Sequence, residues 1–429
     1  MFIRMLVRRC VLIATVVVLI CLDVSQTSAE SGVLTLDDAI SRAIAENPAL
    51  RGSEYLLLAS RAREARVAQS PPLSVGAEFE DFAGSGDLSG VDSLQTTLRL
   101  SGVLELGGKR VARGEMAQRE TEVVSIDQTT ERLDLLAQVA ERFAQVAARQ
   151  EQLVVAHQAT ELSAATVDRV TERIRVGAAP QHELGRAEIS LARARIDEEH
   201  AEHQLTSGRV RLAATWGATT PQFERVSANL FEFPETKTLE QLMDDVDASP
   251  AIQRMLSRER LAAAQLNLAR TARSSEIVWS AGLRRLESID DSALVASINF
   301  PLGTRRRAEP SISEAEAMQA KLPFDVQVAR VDASATLFEL YQELHHAQLE
   351  ARTLREQVQP QSQSVLQSTE LSFRQGRVTF FELANAQQQL LDVHRDAIAA
   401  AAEYHALLIE IERLMGRSIV ADKNYGDAK

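Results

Sequence analysis

This chain carries one decapeptide twice. RVGAAPQHEL at 175–184 and RQGRVTFFEL at 374–383 share the skeleton Arg, any residue, Gly, five residues, Glu-Leu. Arg175 and Arg374, Gly177 and Gly376, Glu183 and Glu382, and Leu184 and Leu383 are each 199 positions apart (374 − 175). The same offset pairs Ala187 with Ala386, Leu191 with Leu390, Asp197 with Asp396 and Gly217 with Gly416. Upstream, Asn47-Pro48-Ala49-Leu50 resembles Ser249-Pro250-Ala251-Ile252. Self-similarity at a fixed offset means two copies of one structural unit. The copies are read as 30–217 and 236–416, joined by 218–235 and followed by a tail, 417–429.

Residues 1–29 stand outside this duplication. Arg4, Arg8 and Arg9 precede an apolar run from Cys10 to Leu22, and Thr27-Ser28-Ala29 offers a small-x-small cleavage site. This is the layout of a secretory signal peptide, and the run is short for a membrane anchor. Cys21 lacks the small residues expected just before a lipidated cysteine. With Cys10 and Cys21 removed, the exported chain has no thiol for a disulfide or a thiolate metal site. The formal net charge of −13 argues against nucleic acid as a partner.

Each copy follows one order. Helical stretches come first, at 35–47 and 49–70, then at 238–248 and 250–273, with Thr35 as an N-cap and Asp38 in the first turn. Two stretches alternating with period two follow, expected as strands at 73–82 and 92–101, then at 275–286 and 292–300. Leu73, Val75, Ala77 and Phe79 alternate with Ser74, Gly76, Glu78 and Glu80. About ten residues is the length that crosses a bilayer when tilted. Gly84-Ser85-Gly86 and 288–292 read as polar loops between paired strands.

A very long helix comes next. Lys109 to about Val176 holds no Pro and one Gly, a span of roughly 100 Å at about 1.5 Å per residue. Its counterpart is expected from about Ser311, with Ser311 and Glu314 as a capping box, to Gln375, bent at Pro323 and Pro360. Returning helices are expected at 180–215 and 379–415. Leu133, Leu136, Ala140, Phe143 and Ala147 form one apolar seam, and Leu135, Val139, Val146 and Leu153 a second. Two seams on one helix require neighbours on both sides. The content is 45% hydrophobic but 4% aromatic, which suits long helices packed through Ala, Leu and Val.

Four strands cannot close a barrel, and an open sheet edge in lipid leaves backbone groups unsatisfied, so membrane strands would have to pool with other chains. Symmetric trimers would supply twelve. On this pattern Leu98, Leu283 and Ile298 face lipid, and Arg99 and Glu78 face a lumen. A periplasmic coiled-coil structural protein without a barrel is the competing reading.

The order and duplication of these motifs resemble the TolC-like outer-membrane efflux factors. The resemblance rests on Leu34-Thr-Leu-Asp-Asp-Ala-Ile with Asn47-Pro48, on Leu104-Glu-Leu-Gly-Gly-Lys-Arg110, and on Phe373 to Leu383 continuing to Ala386-Gln387. It implies a membrane α+β fold, a trimeric 12-stranded β-barrel in the outer membrane continuing into an α-helical periplasmic tunnel. Its implied role is the non-enzymatic exit duct of a tripartite pump, with a periplasmic adaptor (membrane fusion protein), an inner-membrane pump and outer-membrane lipid as partners. A type I protein-secretion duct is a variant of the same architecture. The Glu-Leu-Gly-Gly-Lys-Arg segment looks most like the branch serving heavy-metal resistance-nodulation-division pumps.

On this resemblance the decapeptides are the two periplasmic tips, where Arg175, Gly177, Arg374 and Gly376 dock the adaptor. Glu382, and to a lesser extent Glu183, would ring the closed aperture, with Arg374 and Arg377 as the nearest cationic partners. Some family members carry a second carboxylate three residues later; here that position is Asn385, so a double acidic ring is not implied. Both Glu residues equally suit the first turn of a returning helix, where the helix dipole favours a carboxylate.

No nucleophile motif, phosphate loop, catalytic carboxylate pair or cofactor signature stands out. His200 and His203 beside Glu198 and Glu199 could bind a metal, or could be a solvated helix face. Lys109-Arg110 and Arg305-Arg306-Arg307 follow strands in corresponding places and could anchor at lipid headgroups or simply face water.

Overall fold

A computed structural model describes residues 32–418, so the expected signal peptide and most of the tail lie outside the described residues. Strand β1 (Val33–Leu34) opens the chain. Helix α1 (Leu36–Glu46) is started by Thr35, whose Oγ1 accepts the Asp38 amide at 3.2 Å. Asn47 then caps α2 (Pro48–Val67): its side-chain oxygen accepts the amides of Ala49 and Leu50 at 2.8 and 3.0 Å, and Pro48 occupies a first-turn site where no amide is needed.

Strands β2 (Ser74–Glu80) and β3 (Gln95–Glu105) follow, then α3 (Lys109–Arg175, 67 residues) and α4 (Gln181–Ala213). Strand β4 (Arg225–Val226) lies in the joining segment. The second half holds α5 (Leu239–Asp244), α6 (Pro250–Thr271), β5 (Glu276–Leu286) and β6 (Asp291–Asn299). It ends with α7 (Thr304–Thr353), α8 (Gln359–Arg374) and α9 (Phe380–Met415). Thr238 and Gln241 form a reciprocal capping box at α5.

Several boundaries differ from the sequence expectation for physical reasons. β3 runs on to Glu105 rather than stopping at 101, because its pairing with β5 continues to Glu105 opposite Glu276; the alternation alone breaks earlier, at apolar Val103 on the polar face. α7 begins at Thr304, not Ser311, so Ser311 and Glu314 are not its cap and Arg305 to Arg307 lie in its first turn. The α pattern continues through Pro310 and Pro323. At Pro360 it does not: a π turn, Leu354–Val358, absorbs the missing amide and the ring's demand on the carbonyl four residues back.

The compact units do not coincide with the sequence copies. One gathers residues up to 45, 139–231 and 351–402, and the other 46–138, 232–350 and 403 onward. Each therefore takes stretches from both copies. In the first, β1 pairs in parallel with β4, and the Gln150 side chain accepts the Val226 amide at 2.7 Å and donates to its carbonyl at 3.2 Å. That pairing was not legible, since two-residue strands have no periodicity. In the second, a core of Leu242, Leu337, Leu344, Leu408, Ile411 and Tyr404 is anchored where the Tyr404 hydroxyl donates to the Pro234 carbonyl at 3.1 Å.

Candidate functional site

The second unit holds one antiparallel sheet in the order β2-β3-β5-β6, with β2 and β6 as its edges. Its register sorts the side chains into two faces. Ala77, Leu98, Leu283 and Leu294 form one cross-strand row, and Trp279 and Ile298 pair on the same face. Most of this face stays bare: Leu98 is 57% exposed, Leu283 52%, Ile298 73% and Leu294 88%, with Trp279 half-buried. Burying so much apolar surface is worth roughly 25 cal/mol per Å², so the face wants a non-aqueous neighbour.

The opposite face is polar and paired. Arg99 donates to Glu78 at 2.7 Å. Arg284 donates to Thr97 Oγ1 at 2.9 Å, to Gln95 at 3.1 Å and to Glu80 at 3.1 Å. Among the described residues no helix is long and apolar enough to cross a membrane. The sheet is the element with both the strand length and the two-faced pattern for that task.

The first unit holds the two hairpin turns. In each, the amide after the Gly reaches back five residues, Ala178 to the Arg173 carbonyl at 2.7 Å and Arg377 to Ser372 at 2.9 Å. The Gly amides reach Ile174 and Phe373 at 2.9 and 3.0 Å. This is the Schellman closure of a helix, and it requires the left-handed backbone seen at Gly177 (φ 74°) and Gly376 (φ 72°).

The two Glu residues that the decapeptide equates are not equivalent. Thr379 and Glu382 form a capping box: the Thr379 amide and hydroxyl donate to Glu382 at 2.7 and 2.9 Å, and the Glu382 amide donates back to the hydroxyl at 3.3 Å. These donors hold the Glu382 carboxyl below its ordinary pKa. At the matching position of the first turn stands Pro180, with neither hydroxyl nor amide hydrogen. Glu183 accordingly keeps a buried carboxylate oxygen without a hydrogen-bond partner. The difference was readable in the sequence as Thr against Pro.

Arg374 turns to Glu370, at 3.9 Å, and among the described residues neither Arg374 nor Arg377 pairs with Glu382, against the sequence expectation; Arg175 pairs with Glu172 at 2.6 Å. The residues that bind the two hairpins together were missed. Arg169 donates to Glu370 at 3.0 Å. Arg173 lies 4.3 Å over the Phe373 ring and donates to the carbonyls of Phe373 and Ala178. Gln387 donates to buried Thr166 at 2.9 Å. Around them Val170, Ala187, Leu366, Phe380, Leu383 and Leu390 are buried. Contacts spanning about two hundred residues leave no local signal in the sequence.

His200 meets Gln204 at 2.6 Å and His203 meets Glu199 at 3.6 Å. His157, not singled out in the sequence, bridges Glu198 at 2.7 Å and Glu161 at 3.3 Å, and these carboxylates raise its pKa. Its two ring nitrogens point apart, so the trio cannot close on one ion. Among the described residues no group of three His, Cys, Asp or Glu side chains converges as a metal site.

Residues 39–218 match the family described as Outer membrane efflux protein. Over 389 residues the chain is 24% identical to the cobalt-zinc-cadmium resistance protein CzcC of Cupriavidus metallidurans, spanning 90% of this chain and 91% of that protein. Crystal structures of CusC align with a TM-score of 0.72 at 17% identity, over 89% of this chain and 92% of theirs. The outer membrane protein VceC of Vibrio cholerae aligns at 0.71 and 17% identity, over 90% and 96%. At these identities the solved structures establish a shared fold.

Proposed function

We propose that this chain, a TolC-like outer-membrane efflux protein of the heavy-metal branch, is the exit duct of a tripartite resistance-nodulation-division efflux system and passes metal cations. The observation that carries this reading is the open four-stranded sheet with one bare apolar face and one paired polar face. Lipid suits the first face and a water-filled lumen the second. The edges β2 and β6 cannot stay unpaired in hydrocarbon, so β2 of one copy pairs with β6 of the next. Three copies give a closed barrel of twelve strands in the outer membrane. The helices form its periplasmic part, and the chain does no chemistry of its own.

The tips built from Arg175 to Ala178 and Arg374 to Val378 dock the hairpin of a periplasmic adaptor, which links the duct to the inner-membrane pump. A strain lacking this gene should accumulate more zinc, cobalt or cadmium than its parent, and the intact gene should restore export. Gly376→Val should fail to restore it, because a β-branched residue at φ 72° costs on the order of 1–3 kcal/mol and redirects the turn. The variant should still appear as oligomer in outer-membrane fractions. Normal metal export by the variant would refute the docking role of this tip.

Three Glu382 carboxylates converge at the periplasmic aperture. One oxygen of each is engaged by Thr379, and the other is free to meet a cation. A polyvalent cation should therefore block current through the reconstituted channel, and Glu382→Ala should weaken that block severalfold while leaving the barrel intact. An unaltered block would leave Glu382 as a capping residue alone.

A further inference from the structure

The first turn of α7 carries three cations that no other described residue uses. Arg305, Arg306 and Arg307 are all exposed, and none has a side-chain hydrogen bond or ion pair among the described residues. Nearby cations are engaged: Lys109 with Glu276 at 2.8 Å, Arg113 with Glu105 at 2.5 Å, Arg273 with Glu309 at 3.2 Å and Arg270 with Glu316 at 3.1 Å.

The placement is also unfavourable by itself. A helix N-terminus carries partial positive charge, which repels cations and favours an anion. The duplication supplies an internal contrast. The matching helix start, at α3, has Lys109 and Arg110, and both are used inside the chain, the latter donating to Ser70 at 2.8 Å.

Buried Ala308 and Ile312 pack against Leu266 and fix the rotation of α7. Arg306, two residues before Ala308, then points roughly opposite to this contact, with Arg305 and Arg307 flanking. Immediately before the triplet, just past the end of β6, Phe300 and Leu302 are 56% and 83% exposed. Bare apolar side chains followed within a few residues by unpaired guanidinium groups match the boundary between acyl chains and headgroups.

We propose that Arg305, Arg306 and Arg307 form a binding surface for anionic phospholipid at the periplasmic boundary of the membrane. The guanidinium groups hold the phosphate, and Phe300 and Leu302 lie along the acyl chains. This rests on reading the sheet as membrane-spanning. Its occupant is a lipid rather than a soluble anion because the apolar and cationic parts are contiguous.

The test titrates full-length protein in neutral detergent with phosphatidylglycerol and with phosphatidylcholine, counting bound lipid by native mass spectrometry. Phosphatidylglycerol should bind more tightly than phosphatidylcholine. The variant R305Q/R306Q/R307Q should lose at least about tenfold in phosphatidylglycerol affinity, and Arg306→Gln alone about fivefold, the order expected per surface cation. Phosphatidylcholine binding should not change, and Arg110→Gln should bind phosphatidylglycerol like the parent. Equal lipid binding by the triple variant would overturn the proposal. Full competition by inorganic phosphate would overturn it in favour of a simple anion site. Dissociation of the triple variant into monomers would overturn it in favour of a contact between copies. Membrane insertion is scored separately, so failure of the spanning reading is distinguishable from loss of lipid selectivity.

Discussion

Leu98→Arg is expected to remove the protein from the outer membrane. Leu98 sits in the row Ala77, Leu98, Leu283, Leu294, which crosses all four strands on the bare face. An Arg facing lipid costs roughly 2–4 kcal/mol at the midplane and less toward the interfaces, and the proposed trimer would meet the cost three times over. The adjacent position behaves oppositely. Arg99→Leu on the polar face breaks the 2.7 Å pair with Glu78 but puts no charge into lipid, so insertion should persist. Heat-modifiable oligomer in outer-membrane fractions is the readout. Normal assembly of Leu98→Arg would mean the faces are assigned the wrong way round.

Phe373→Ala is expected to loosen the hairpin tips. Phe373 is 1% exposed among Val170, Leu366, Phe380 and Leu383, and its ring carries the Arg173 guanidinium. Truncating a fully buried Phe costs about 3–5 kcal/mol, with a further ~0.5–2 kcal/mol from the lost cation–π contact. Local opening should rise by at least two orders of magnitude, seen as faster amide exchange over 366–390. Phe373→Leu, which keeps most of the volume, should stay within about 1.5 kcal/mol of the parent. Parent-like protection in the alanine variant would show that the tips are held by the polar contacts instead.

These two sites also show what a sequence of this kind discloses. The faces of the sheet were legible because alternation with period two is a local signal: Leu98, Leu283 and Ile298 were assigned to one face, and Arg99 and Glu78 to the other, from spacing alone. The turns were legible because Gly177 and Gly376 stand where a helix must reverse. The start of α7 was not, because the residue before a proline is biased away from helix and Pro310 made Ser311 look like a beginning. The Arg169–Glu370 and Arg173–Phe373 contacts depend on how two distant hairpins pack. The aperture assignment of Glu382 rests on family resemblance alone, whereas its capping box with Thr379 is the role the structure shows.

If copies of this chain close into a conducting pore as proposed, single-channel recording across a planar lipid bilayer will show it. Full-length protein purified from outer membranes should produce discrete, uniform current steps, with conductance lost when the oligomer is dissociated before reconstitution. Protein shown to be incorporated in the bilayer yet carrying no current above background would mean that it forms no open pore.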